Sequence, residues 1–301
     1  MSKKRHRRDR KDAYYISDLD PMHKLMPYML PGRTANEAVV NELLDLTAVN
    51  AYLETKNAGN DDFKYTLFHV ITAAITKTVH MRPHLNRFVH AHRFYERKDI
   101  TFGFVAKKQF AEGSADTLII MKADRNSEIS VIDQVHGKIK KRVTSVRSEG
   151  GKDEAGDIMN PLSKLPRPLL ALLVKTLRGL SYIDKLPMSI KKVDPYHTTA
   201  FIANLGSIKL SATYHHLADW GTNSLFLVIG EKKKRPYYDD DGNVTMRDSV
   251  ELGLTLDERI GNGYYFAKSL KLIRDLLAHP EALDLPLEAD ISKIIGWENG
   301  L

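Results

Sequence analysis

The stretch "GLTLDERIGNGYYFAKSLKLIRDLLAHPEAL", residues 253–283, decides how the rest of the chain is read. It opens as a strand, breaks at a charged Asp-Glu-Arg and two glycines, and continues as an amphipathic helix that Pro280 stops. A strand, a tight charged turn and a helix make the shape of a catalytic turn. The turn itself, residues 257–263, holds no nucleophile and no histidine.

Working outward, the Asp240-Asp241-Gly242 turn joins strands expected over 224–238 and 243–257 as a hairpin. A further strand is expected over 198–206, and others around Arg93–Tyr95, Ile100–Val105 and Thr117–Met121. Toward the N-terminus, Glu42–Leu46 predicts a short strand running into a helix over 47–57, with Thr47 as its N-cap. Leu67, Val70, Ile71, Ala74 and Val79 fall at helical spacing in a segment that ends before Pro83. Ser127–Arg147 predicts a second amphipathic helix. Helices early, strands late and few strand–helix alternations give an α+β fold rather than a doubly wound one.

Four stretches, in order and spacing, resemble the catalytic domain of dihydrolipoyl acyltransferases of 2-oxo acid dehydrogenase complexes, which is similar to chloramphenicol acetyltransferase. They are "ELLDLTAVNAYL" (42–53), "FHVITAAITKTVHMRPHLNRFV" (68–89), "FIANLGSI" (201–208) and the opening stretch. The resemblance spans roughly residues 20–140 and 195–286. It implies a chloramphenicol acetyltransferase-like two-layer α/β sandwich with a mixed sheet. It also implies a trimer or a multiple of trimers, with CoA or acyl-CoA and a small-molecule acceptor as ligands and no metal.

The chemistry the resemblance implies is acyl transfer between a thioester and a thiol or other acceptor. In that family a histidine takes the thiol proton, and a hydroxyl of the neighbouring subunit holds the oxyanion. Matched by motif, the base position here is Glu258 and the oxyanion position is Ala203, which has no donor. Asn262 keeps the positioning role, and Asp257, Arg259 and Gly263 keep the turn. Glu258 is then either a structural carboxylate paired with Arg259 or another cation, or a base whose pKa burial must raise from about 4.3. The sequence leaves an acyltransferase or a catalytically inactive scaffold that binds CoA or acyl chains.

One replacement is offered by "SATYHHLADWGTN" (211–223), which puts His215, His216, Asp219 and Trp220 close in sequence. Either histidine would take over proton transfer with Asp219 orienting the ring, or both serve packing. A metal site is not expected, because adjacent histidines on a strand point to opposite faces. Lys232, Lys233, Lys234 and Arg235 are either solvated charges at a strand end or contacts for CoA phosphates.

Two departures from the family stand out. The segment before residue 20 is too short for lipoyl and subunit-binding domains, so a stand-alone protein is expected. The block at about 147–195 is a helical insertion carrying Leu169, Leu170, Leu172, Leu173, Val174, Leu177 and Leu180. It is expected to pack on its own domain or a neighbour, to lie on a membrane surface, or to wall an acyl substrate.

Composition sets the outer limits. The hydrophobic share is 43% and the charged share 28%, those of a globular protein. Residues 1–12 carry seven Lys/Arg and two Asp, so most of the net +7 sits in residues 1–15, expected as a basic disordered tail. That tail is a solvated arm or a contact for RNA or an anionic membrane. A single domain is expected over 16–290 and a C-terminal tail over 291–301. There are no cysteines, which excludes disulfides and thiolate catalysis and fits a cytoplasmic setting. No Walker A, Rossmann glycine, G-x-S-x-G or H-E-x-x-H motif is present.

Overall fold

Leu252, Leu254 and Leu256 alternate with Gly253, Thr255 and Asp257, so one strand carries three leucines on one face and the turn's aspartate on the other. In the computed structural model, which describes residues 6–60, 62–107, 116–147 and 161–297, this strand is β10 (Val244–Asp257). The others are β1 (Ala13–Tyr15), β2 (Glu37–Asp45), β3 (Arg87–His90), β4 (Arg93–Arg97), β5 (Thr101–Lys107), β6 (Asp116–Lys122), β7 (Ala200–Asn204), β8 (Leu225–Ile229) and β9 (Lys233–Tyr238). The main sheet runs β2-β10-β8-β7-β5-β6. It is mixed: β7 is parallel to both β5 and β8, and the remaining pairs are antiparallel. A smaller sheet, β1-β4-β3, stands apart.

The strand expected over 224–238 is two strands. β8 pairs the second half of β10 and β9 its first half, with a break at residues 230–232. A Cβ on Gly230 would lie 2.5 Å from the Ala212 nitrogen, so the crossing segment leaves room only for glycine there. The hairpin turn falls as expected, with the Asn243 amide donating to Asp239.

The helices are α1 (Pro21–Met29), α2 (Thr47–Asn57), α3 (Leu67–Met81), α4 (Val131–Arg147), α5 (Arg167–Tyr182), α6 (Met188–Val193) and α7 (Gly263–Ala278). The core joins residues of α2, α3, α4 and α7 to Leu225, Leu227, Leu252 and Leu254 of the sheet. The fold is therefore α+β, with a helical layer on one face of a mixed sheet. Thr47 does not cap α2. It is the first helical residue, and the Asp45 carboxylate accepts from its amide and hydroxyl. The helix expected from Ser127 starts at Val131, where the Ser130 hydroxyl accepts from the Asp133 amide. α3 ends ahead of Pro83, as the ring requires.

Where they are described, over residues 6–15 and 291–297, the two expected tails pack on the domain. Residues 1–5 lie outside the described residues, but Arg10 is 3% exposed. Its guanidinium meets Asp12 and Asp184 and lies over Phe88 and Tyr95, while β1 pairs with β4. At the other end Ile291, Ile295 and Trp297 are buried. The Lys77 ammonium, itself buried, donates to the carbonyls of Leu287 and Ala289 and holds that segment in place. Residues 148–160 of the expected insertion are outside the described residues. α5 keeps Leu169 and Leu172 open to solvent and only half covers Leu170, Leu173, Leu177 and Leu180. Its tie to the domain is at its end, where Ser181 accepts from the His90 ring. Among the described residues no helix is long and apolar enough to cross a membrane.

Burial pushes His69, His84 and His90 down to about 4 from the ordinary 6.5. The unfolded chain takes up these protons from about pH 6.5 downward, whereas the folded chain holds the rings neutral to about pH 4. Stability is therefore full above pH 6.5 and lost as pH falls through that window. The His69 Nδ1 accepts from the Thr66 amide at the start of α3, a role glutamine also fills. His69→Gln is expected to make the decline of the urea midpoint between pH 6.5 and 4 shallower. An unchanged slope would show that His69 stays unprotonated for no energetic reason of burial.

Candidate active site

At the end of β10 the backbone turns sharply, and Asp257 is fully buried beneath the turn. A buried carboxylate needs a paired cation. Arg259, 1% exposed, supplies it bidentately: Nε to Oδ1 at 2.8 Å and Nη2 to Oδ2 at 2.7 Å. Its remaining Nη1 donates to the carbonyls of Leu30 and Pro31, both at 3.0 Å. Arg33 approaches the same carboxylate at 3.7 Å and donates to the carbonyls of Ala218 and Gly221. Burial pushes Arg33 down to about 10, with Asp257 and Asp219 opposing the fall.

Glu258, on this rigid turn, is exposed and makes no hydrogen bond or ion pair among the described residues. The expected pairing with Arg259 is not made, because Asp257 takes that guanidinium. Asn262 caps α7, its Oδ1 accepting from the Tyr265 amide at 2.8 Å, and Gly263 follows with open space around it. The amide oxygen that would position a substrate is thus engaged in holding a helix start.

Ala203 lies on β7, packed against Phe201, Leu217, Phe226 and Val228. It is level with Val228, which is level with Gly253 of β10. Glu258 stands five residues beyond Gly253, about 17 Å at roughly 3.3 Å per residue. Within one chain the base and oxyanion positions do not face each other.

The segment 211–218 forms no helix and pairs with no strand. It crosses the sheet on the face of Ala203, and Leu217 packs with Phe201, Phe226 and Val228. His215 stacks on Phe226 at 4.0 Å, and the two histidine rings lie 4.6 Å apart. The expectation of opposite faces fails because the segment is not a pleated strand. Each Nδ1 faces a backbone carbonyl, that of His216 at 2.9 Å and that of Leu217 at 3.0 Å. A carbonyl only accepts, so the proton sits on Nδ1 and the neutral ring offers Nε2 as a base. Asp219 is not behind either ring. It accepts from the amides of Arg33 and Thr34 and the Thr34 hydroxyl, and caps the short turn there.

Lys232 pairs with Asp248, Lys233 with Glu231 and Arg235 with Glu251, while Lys234 sits near Asp248. These are surface ion pairs along β9. Among the described residues no group of three or more His, Cys, Asp or Glu side chains fits a metal ion.

The sequence missed Asp194, His197 and Arg97. Asp194 accepts from His197 Nδ1 at 3.0 Å and from the Trp220 indole at 2.5 Å, so Trp220 belongs here and not with His215. Burial acts to raise the Asp194 carboxyl, but the bonds from His197 and Trp220 prevail and hold it below the ordinary value. Arg97 donates to the carbonyls of His197 and Thr222, and its burial pushes it down to about 9. The Asp194–His197 spacing in "DPYH" was the available signal. Trp220 and Arg97 lie too far away in sequence to have been joined to it.

No protein-family model matches the chain, and no curated protein matches it. Solved structures do. A probable dihydrolipoamide acetyltransferase from Listeria monocytogenes superposes with a TM-score of 0.53 at 17% identity, covering 87% of this chain and 94% of that one. The dihydrolipoamide acetyltransferase of Azotobacter vinelandii, studied for the role of a serine, a histidine and an asparagine in its catalytic mechanism, gives 0.52 at 17%, covering 89% and 93%. A chloramphenicol acetyltransferase gives 0.54 at 10% identity, covering 88% and 99%. The fold is that of chloramphenicol acetyltransferase and of 2-oxo acid dehydrogenase acyltransferase cores, at low sequence identity.

Proposed function

We propose that the protein binds a CoA thioester and transfers its acyl group to a thiol or other acceptor, with the His215–His216 pair as base in place of Glu258. The observation that carries this reading is the His215 ring, stacked on Phe226 with Nδ1 tied to a carbonyl and Nε2 free, on the sheet face of Ala203. In the transfer, Nε2 takes the acceptor's proton as its sulfur or oxygen attacks the thioester carbon. The tetrahedral intermediate then expels the CoA thiolate, which receives that proton. The Azotobacter enzyme's histidine and asparagine stand four positions apart, as Glu258 and Asn262 do, which supports Glu258 as the displaced base position. With Ala203 lacking a hydroxyl, turnover is expected to be slow, since one oxyanion donor is worth on the order of 3 kcal/mol.

Acyl transfer from an acyl-CoA to dihydrolipoamide is the test. Glu258→Gln is expected to leave the rate within about twofold, and His215→Ala or His216→Ala to lower it about tenfold, the neighbouring ring retaining part of the function. The double variant is expected to lose about a hundredfold. Loss with Glu258→Gln and none with the histidine variants would overturn the assignment. The second reading, a binder without turnover, is favoured by Asp219, whose bonds to Arg33 and Thr34 leave neither ring a carboxylate behind it. Calorimetry that registers acyl-CoA binding with no transfer by the unaltered protein would select it.

A further inference from the structure

The row Leu169, Leu172, Lys175 and Arg178 steps by three along α5, so two leucines and two cations share one ridge of the helix. All four are open to solvent, Leu169 at 54% and Leu172 at 61%. Tyr182 at the end of α5 and Ile183 just past it are exposed as well. Leu170, Leu173, Leu177 and Leu180 occupy the adjacent side and are only half covered. Apolar surface gathered in this way on one element marks a surface for association.

Charge decides what associates. From residue 161 to residue 183 the sequence has Lys164, Arg167, Lys175 and Arg178 and no Asp or Glu. Among the described residues Arg167, Lys175 and Arg178 make no hydrogen bond or ion pair. The first carboxylate after them, Asp184, is already held by Lys191 at 3.0 Å and Arg10 at 3.3 Å. That Arg10 contact brings the N-terminal basic run to the same end of the helix, with Arg7 and Arg8 exposed just upstream. A second copy set symmetrically on this ridge would bring like charges together, which opposes self-association. An anionic lipid surface satisfies both parts: leucines enter the boundary between headgroups and acyl chains, and long cationic side chains reach the phosphates. The helix lies on such a surface and does not cross it. Its 16 residues, at about 1.5 Å each, fall short of the roughly 30 Å hydrocarbon core.

We propose that α5 docks the protein on an anionic membrane surface, Leu169, Leu172 and Ile183 entering the lipid and Lys175, Arg178, Arg7 and Arg8 meeting its phosphates. Helix α1 supplies the contrast. Met22, Leu25 and Met29 are exposed on it too, but Asp18 and Asp20 lie at its start and Lys24 is its only Lys or Arg. The docking surface is independent of the acyl-transfer reading, and either can fail alone.

Sedimentation of the full chain with lipid vesicles tests it. Binding is expected to be at least about tenfold tighter to phosphatidylcholine vesicles containing about one-third phosphatidylserine than to phosphatidylcholine alone. Leu169→Gln combined with Leu172→Gln is expected to weaken that binding about tenfold, with an unchanged thermal midpoint because both side chains are exposed. Lys175→Gln combined with Arg178→Gln is expected to weaken binding to the anionic vesicles about tenfold and to leave binding to phosphatidylcholine alone unchanged. Leu25→Gln on α1 is expected to change neither. Equal binding to the two kinds of vesicle, or binding that survives the leucine pair, overturns the proposal. A loss with Leu25→Gln as large as that of the leucine pair overturns the assignment to α5. Self-association that the leucine pair abolishes, without vesicle binding, gives the ridge to a second copy and overturns the lipid surface.

Discussion

Arg259→Met is expected to destabilise the protein by about 3–5 kcal/mol, the cost of breaking a buried ion pair from one side. Asp257 has no exposure and its two oxygens are held by the Arg259 fork. Without that fork the nearest cation is Arg33 Nε at 3.7 Å, beyond hydrogen-bond reach. The carbonyls of Leu30 and Pro31 lose their donor in the same step. Methionine nearly fills the arginine volume, so the loss reads charge and hydrogen bonding rather than a cavity. Urea denaturation with a double-mutant cycle separates the contributions. Asp257→Leu in the Arg259→Met background should recover part of the loss, because removing both charges is far less costly than stranding one. A single-variant loss under 1 kcal/mol would mean that the turn is solvated and the pair exposed.

This network explains why the opening stretch is conspicuous in the sequence. Asp257, Arg259 and the helix cap at Asn262 make the turn; Glu258 only rides on it. Period and punctuation made β10, the turn and α7 legible, because strand alternation, the two glycines and Pro280 are local signals. What misled was proximity in sequence. Asp219 sits three residues from His216, yet its carboxylate is turned to the amides of Arg33 and Thr34, which belong to a distant segment. The basic residues at the N-terminus read as a solvated arm because the partner of Arg10 beyond Asp12 is Asp184, more than 170 positions away. The break at Gly230 depends on a crossing segment that no local pattern announces. The Asp194–His197 pair was local, but Trp220 and Arg97, which complete its bonding, come from distant segments.

Gly221→Ala is expected to cost about 3–5 kcal/mol by a different route. Gly221 has φ +77°, a conformation that costs an alanine about 1–2 kcal/mol. Its Cβ would also fall 2.3 Å from the Tyr196 oxygen and 2.7 Å from the Tyr196 Cβ. The Tyr196 carbonyl is not free to retreat, since it accepts from the amides of Thr222 at 2.8 Å and Asn223 at 2.9 Å. Thr222 in turn accepts from Arg97, and Tyr196 precedes His197. Relief of the clash therefore breaks at least one buried hydrogen bond, at about 1–3 kcal/mol, on top of the backbone strain. Gly242 supplies the control. Its φ is +82°, but nothing lies within 4 Å of the position a Cβ would take. Gly242→Ala should lose only the left-handed strain, about 1–2 kcal/mol. Urea midpoints for the two variants, measured side by side, isolate the steric contribution at Gly221. Equal losses would show that the Tyr196 carbonyl yields without cost.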